Sequence, residues 1–260
     1  MGRAGREDLQ RILDELGVGH ISQAIESLVF KRALTSVDGY LEMHSVDSEA
    51  TYNKYVDRRE KEELHKLWAE HHRDKMRRAW ERIRRGKTLA EKFFGVKRDP
   101  VGELLESSAA LSHHATILWR MTKNERWARE GVEALSTLAS VLEASHRYQA
   151  LAETYEKIVD LATSIGDREK AAKTLLLLGS TYSIMGHLNG AIKRFEDALA
   201  ISRELNNKLL IAGILISMGF AYKSLNSEEY KRCGEEALRI AEELSIKSLA
   251  EAAKKLLEDC

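Results

Sequence analysis

The chain of 260 residues holds one proline and two cysteines, and its 41 Lys+Arg are balanced by 41 Asp+Glu. A single proline leaves long stretches free to run as helix, because proline removes a backbone donor and breaks helices from within. Cys233 and Cys260 form neither a metal-ligand spacing nor a disulfide framework, which points to a reducing, intracellular setting. Overall charge gives no reason to expect a nucleic-acid or membrane partner. No apolar run reaches spanning length: the longest, Leu209 to Tyr222, is interrupted by Gly213, Ser217 and Gly219. The opening residues Met1 to Asp8 lack the apolar run of a secretory signal, and Arg6 stands where a myristoylation motif needs Ser or Thr. The expectation is a soluble, cytoplasmic protein with no membrane partner.

What is present is helix-forming and charged. Hydrophobic residues make up 43% and charged residues 32% of the chain, and glutamine is scarce, a composition shared with proteins from hot environments. Charge is unevenly placed. From Arg73 to Arg98 eleven basic residues face only Asp74, Glu81 and Glu91, a local balance of +8, so the remainder carries −8. The strongest pattern is a spacing of 40 residues: Leu135, Leu138, Ala139 and Tyr155 recur as Leu175, Leu178, Gly179 and Phe195, then as Leu215, Met218 and Gly219. A fixed period of that size means repeated helical hairpins that stack on one another, since one such unit cannot bury a core alone.

Before the repeats, Leu9, Ile12, Leu13 and Leu16 fall on one helical face that Gly17 ends, and a second helix is expected from about His20 to Leu34. The pair has the outline of a helix-turn-helix, but its second helix is apolar and offers only Gln23, Lys31 and Arg32 to base edges, so ordinary packing is preferred. A turn at Asp38-Gly39 precedes a long charged helical region from Ser48 to near Gly86, with Tyr52, Val56, Leu64, Leu67, Trp68, Ala79, Trp80 and Ile83 as a thin apolar stripe. Pro100 disfavours helix at Asp99 and marks a boundary. Residues 1–99 therefore read as an N-terminal helical region, and 100–260 as the repeat domain, with repeats at about 131–170, 171–210 and 211–250 and a capping helix after them. Helices are expected over Val101 to Met121, Tyr148 to Ile165, Arg168 to Met185, Leu188 to Leu205, Lys208 to Leu225, Glu228 to Leu244 and Ile246 to Asp259. Gly186 is the expected left-handed cap inside the second repeat.

In the second repeat Leu178-Gly179, Tyr182, Gly186, Ala191, Phe195 and Ala198 place small residues where helices cross closely and large ones beside them. This resembles the tetratricopeptide (TPR) family. The third repeat keeps Met218-Gly219 and Tyr222, and one skipped residue brings Tyr230, Gly234 and Ala237 to the matching positions. The first repeat is worn, with Ala139 for Gly and Leu142 for Tyr. A 40-residue unit exceeds the usual length of about 34 and is similar to the lengthened repeats of kinesin light chains and bacterial regulators. The resemblance covers roughly residues 124 to 260. It implies an all-α, right-handed solenoid preceded by the helical region, and a concave face lined by the first helix of each unit. On that face stand Lys173, Leu176, Leu177, Ser180, Ser183 and Ile184 in the second repeat and Gly213, Ile216, Phe220 and Lys223 in the third. Leu176, Leu177, Ile216 and Phe220 would form an apolar strip flanked by Lys173 and Lys223, suited to an amphipathic helix or extended peptide with an acidic end. Serine at position 180 removes the asparagine of the carboxylate clamp that some chaperone-binding members carry.

The chain offers little catalytic chemistry. Glu62/His65 and Glu143/His146 have the spacing by which one helix gives a di-metal site a carboxylate and an imidazole, but the further inward glutamates such a site needs are not identifiable. His71-His72 and His113-His114 are adjacent pairs that diverge on a helix, and His65 and His72 are expected to be solvated. No Walker loop, dinucleotide fingerprint or nucleophile triad is legible, so neither a cofactor nor a metal is expected. The rival signal is the basic segment: Arg77, Arg78, Arg82, Arg84 and Arg85 crowd about Trp80, a set able to neutralise phosphates and stack on an unpaired base. The reading reached is a non-enzymatic interaction scaffold or adaptor holding a protein or peptide partner. A nucleic-acid-associated regulator and, more remotely, a di-metal helical enzyme stand as alternatives, and self-association through the N-terminal helices stays open.

Overall fold

The computed structural model describes residues 4–5, 34–37, 40–43, 58–85 and 100–258. The elements are three short strands, β1 (Ala4–Gly5), β2 (Leu34–Val37) and β3 (Tyr40–Met43), followed by nine helices among the described residues. These are α1 (Arg58–Arg85), α2 (Pro100–Thr122), α3 (Glu125–Ala144), α4 (Tyr148–Ser164), α5 (Arg168–Ile184), α6 (Leu188–Glu204), α7 (Lys208–Ser224), α8 (Glu229–Glu243) and α9 (Lys247–Leu257). Two compact units divide the chain, residues 1–134 and 135–260, with the division falling inside α3. No described helix is long and apolar enough to cross a membrane.

In residues 1–134 the strands form an antiparallel sheet of order β1-β3-β2, with Val37 opposite Tyr40 and Leu34 opposite Met43. Leu34 thus belongs to a strand and not to the end of a helix, which corrects the expectation for that residue. The signal was present. Asp38-Gly39 is a favoured two-residue hairpin connection, and Thr35, Val37 and Tyr40 are strand-forming side chains. The expected helices over 9–16 and 20–33, and the start of the long helical region at Ser48, lie outside the described residues. Helix α1 packs along α2, and Ala69, Leu111, Leu118, Trp127 and Ala134 form a buried cluster flanked by Met76 and Trp119. Arg73 pairs with Glu130, which Arg126 also engages at 3.0 Å.

From α4 to α9 each helix packs on its sequence neighbour, as short connections require. The helix bounds agree with the expected ones to within two residues at each end, because each end is set by a local turn. Positive φ recurs every 20 residues, at His146, Gly166, Gly186, Asn206 and Asn226. Each of these residues donates its N–H to the carbonyl three back, and the next residue reaches five back, as Gly186 to Ser183 (3.0 Å) and His187 to Tyr182 (2.9 Å). This is the double bond pattern that closes a helix through a left-handed residue. Asp167 and Asn207 begin α5 and α7 by accepting the N–H of Lys170 and Leu210, both at 3.0 Å. The 40-residue repeat is therefore two 20-residue units of helix plus turn, distinguished by which face each buries.

The core explains the small residues. A Cβ on Gly179 would sit 2.5 Å from Cε1 of Phe195, a side chain only 1% exposed. A Cβ on Gly219 would meet Leu256 at 2.3 Å, so the capping helix α9 fills the same place against the third repeat that Phe195 fills in the second. Tyr182 ties neighbouring repeats by donating its hydroxyl to Glu156 at 2.9 Å. The ion pairs Arg168 to Glu204 and Lys208 to Glu243 join the start of a repeat's first helix to the end of its second. Being half exposed, such pairs contribute little stability each.

Candidate functional site

The first helices of the second and third repeats, α5 and α7, are each packed on several sides, and what remains open on them is a narrow stripe. On α5 it runs through Lys173, Leu177, Ser180 and Ile184, spaced i, i+4, i+7, i+11, which is one helical face. On α7 it runs through Leu209, Gly213 and Phe220. Leu177 is 46%, Ile184 62%, Leu209 55% and Phe220 40% exposed. Gly213 adds no side chain, and a Cβ built there meets nothing within 4 Å, so the backbone itself is approachable at that point. Helices α5 and α7 are in direct contact.

The anticipated residues separate into three groups. Leu177, Ile184, Gly213 and Phe220 line the open stripe, with Lys173 and Ser180 along it. Ile216 belongs to the core at 8% exposure, and Leu176 is partly buried against that core, so neither is an open apolar contact as expected. Leu175 to Leu178 is a run of four leucines pointing around most of the helix, and periodicity alone does not choose among them. The flanking cations are engaged within the chain. Lys173 pairs with Glu169 at 2.5 Å, while Lys223 donates to the carbonyl oxygens of Leu256 (3.0 Å) and Glu258 (2.5 Å) and lies over the Tyr230 ring. Lys223 therefore closes the C-terminal end of α9, where a cation complements the helix dipole. Ser180 donates back to Leu176 O at 3.0 Å, and Ser183 Oγ is buried without a hydrogen-bond partner among the described residues. Leu209 was not anticipated; its open position on the first turn of α7 follows only from packing.

The basic segment falls on α1. Arg77 is exposed and holds Asp74 at 3.1 Å, Arg78 is exposed, and Trp80 is 49% exposed. Helix α1 continues through Arg82, Arg84 and Arg85, whose side chains lie outside the described residues.

Between α1 and α2 lies a cluster of aromatic rings that sequence patterning missed. His65 Nδ1 is 2.9 Å from His114 Nδ1, a hydrogen bond that needs one of the two nitrogens bare. Trp68 stacks on His72 (5.7 Å between centroids) and on His114 (5.9 Å), and His72 stacks on His114 at 6.1 Å. His72 is 5% exposed, and its Nδ1 has no hydrogen-bond partner among the described residues. The expected solvation of His65 and His72 is thereby corrected: α2 covers both. Burial, reinforced by neighbouring cations, pushes the imidazoles down to about 4 for His65, about 3 for His72 and about 2 for His114. Among the described residues no group of three or more His, Cys, Asp or Glu is placed to hold a metal. The partner of Glu143 in the second spaced pair, His146, ends α3 with its ring on Tyr148, at 2.8 Å from the hydroxyl.

Residues 132–204 match the family model described as tetratricopeptide repeat, and the C-terminal half carries these repeats. Comparison with curated proteins returned no match. Similar solved structures include BtubC from P. vanneervenii (18% identity, 74% of this chain and 84% of that one, TM-score 0.44). Another is aspartyl phosphate phosphatase F from Bacillus subtilis (12% identity, 95% and 64%, TM-score 0.49). A third is Bacillus thuringiensis PlcR, in complex with the peptide PapR7 and DNA (12% identity, 95% and 98%, TM-score 0.44).

Proposed function

We propose that this is a non-catalytic interaction protein whose repeats hold a segment of a protein partner along the stripe formed by α5 and α7. The observation that carries the proposal is the exposure of Leu177, Ile184, Leu209 and Phe220 on the first helices of two consecutive repeats. Large apolar side chains grouped on one face mark a contact surface more often than singly scattered ones do. The chemistry of the partner follows from what the stripe offers. Its cations are already paired within the chain, so selection rests on apolar side chains laid at helical spacing and on close approach at Gly213, and an acidic end is not required.

The test is co-purification from native lysate, identification of the captured protein, and titration of its binding segment. Leu177→Glu with Phe220→Glu, at unchanged far-ultraviolet circular dichroism, should weaken that segment at least tenfold, roughly the effect of losing one well-packed apolar contact. Equal affinity for the double variant rejects the face.

One observation favours a second reading. Trp80 stands exposed beside exposed Arg77 and Arg78 on α1, an arrangement able to contact a single-stranded nucleic acid. Salt-sensitive binding to single-stranded DNA or RNA, lost on Arg77→Glu with Arg84→Glu, would support it. Absence of binding at low salt removes it.

A further inference from the structure

The histidine cluster has no part in the peptide-binding reading, and its construction is unusual enough to ask what it does. Two imidazoles, His72 and His114, lie nearly parallel to the Trp68 indole between two helices of the same compact unit, and His65, tilted 44° to His114, is joined to it by the Nδ1–Nδ1 hydrogen bond. Imidazoles packed against one another cannot all be cationic, because adjacent like charges repel strongly where water is excluded. The His65 to His114 bond cannot survive with both rings cationic, because both nitrogens would then be donors. The charged groups acting on the three rings are Lys61, His71 and Lys75 on α1 and His113 on α2, all of which oppose a further positive charge. Three described carboxylates of this unit hold cations of their own: Glu62 pairs with Lys66 at 2.7 Å, Asp74 with Arg77, and Glu130 of α3 with Arg73 and Arg126.

We propose that the α1–α2 hairpin is an acid-released clasp, in which proton uptake by His65, His72 and His114 parts the two helices while the repeats from Tyr148 onward stay folded.

The direction follows from the geometry and agrees with the depressed imidazole values. Unfolded histidine titrates near 6.5, so below about that pH the open state binds protons that the closed stack refuses, and the clasp weakens as pH falls toward about 4. Above it the cluster is neutral in both states and the clasp is at full strength. Opening would uncover Leu111, Leu118, Trp119 and Trp127, an apolar surface hidden at neutral pH.

The protein carries its own reporter. All four tryptophans, Trp68, Trp80, Trp119 and Trp127, lie in residues 1–134. The experiment is a titration of the full chain from pH 8 to pH 4, read by tryptophan emission and by hydrogen exchange corrected for intrinsic rate. The expected result is an emission change centred below about pH 6.5 that takes up more than one proton. Peptides over 58–85 and 100–122 should lose at least tenfold in protection between pH 7 and pH 5, while those over 148–257 keep theirs. Unchanged protection in 58–85 and 100–122, or equal loss along the whole chain, overturns the proposal. His72→Phe keeps a ring against Trp68 and should move the transition to lower pH with a shallower slope; a folded His72→Phe that titrates like the wild type overturns it as well. Loss of the transition in His187→Gln, a histidine of the repeats, would also refute it. Hydrogen exchange on the wild type decides the matter if His72→Phe does not fold.

Discussion

Two glycines in the middles of α5 and α7 should respond in opposite directions to the same substitution. Glycine inside a helix costs about 1 kcal/mol relative to alanine, so Gly→Ala is favourable wherever the new methyl has room. At Gly213 it has room, since nothing lies within 4 Å of the built Cβ, and Gly213→Ala should stabilise the repeats by about 0.5–1 kcal/mol. At Gly179 the methyl would stand 2.5 and 2.7 Å from Cε1 and Cδ1 of Phe195. That ring is 1% exposed and fixed by its neighbours, so relief requires α5 and α6 to separate. Overpacking of this kind costs about 1–3 kcal/mol, which exceeds the propensity gain, and Gly179→Ala should destabilise by roughly 1–2 kcal/mol. The assay is urea unfolding by circular dichroism, with hydrogen exchange over 168–204 locating the change. A double-mutant cycle isolates the cause: in a Phe195→Leu background, Gly179→Ala should lose most of its penalty. If both alanine variants shift stability in the same direction, or the penalty at Gly179 persists without the ring, the packing argument is wrong.

The placement of Leu177 and Phe220 against Ile216 is open to a direct contrast. Leu177→Glu and Phe220→Glu should change stability by no more than about 0.5 kcal/mol, whereas Ile216→Glu, which buries an unpaired charge in the core, should unfold the repeats or cost more than about 4 kcal/mol by urea melting. Ser245 holds φ of 56°, a conformation that costs a side chain energy and glycine almost none, so Ser245→Gly should stabilise by about 0.5–1 kcal/mol in the same assay. Cys233 is 5% exposed and burial pushes its thiol up to about 11. In a Cys260→Ser background at pH 8, its alkylation should run at least about 100-fold slower than that of a free thiol and recover in urea.

The repeats were legible because their information is local. A glycine or asparagine at a left-handed turn, an Asp or Asn at the next helix start, and leucines at helical spacing set each helix within its own 20 residues. The Gly179 and Phe195 relation was also readable, since both lie within one helical hairpin whose register the turn fixes. The open stripe was half legible: Leu177, Ile184, Gly213 and Phe220 were anticipated, but so were the buried Ile216 and the half-buried Leu176. The strand pair Leu34–Val37 and Tyr40–Met43 is not legible from periodicity, because the apolar residues before it also fit a helical face.

Sequence by itself determined the number, ends and order of the helices in the C-terminal half, since backbone hydrogen bonding and turn chemistry act between residues a few positions apart. Tertiary structure alone decided which leucine of Leu175 to Leu178 meets solvent, that Lys223 caps α9 instead of waiting for a ligand, and that His72 is buried and His65 half-buried. Those outcomes depend on contacts between residues far apart in the chain, such as His65 with His114, 49 positions away. No periodicity encodes them. They follow from which surfaces the helices present to one another once packed, and both the proposed partner face and the acid-sensitive clasp rest on that packing.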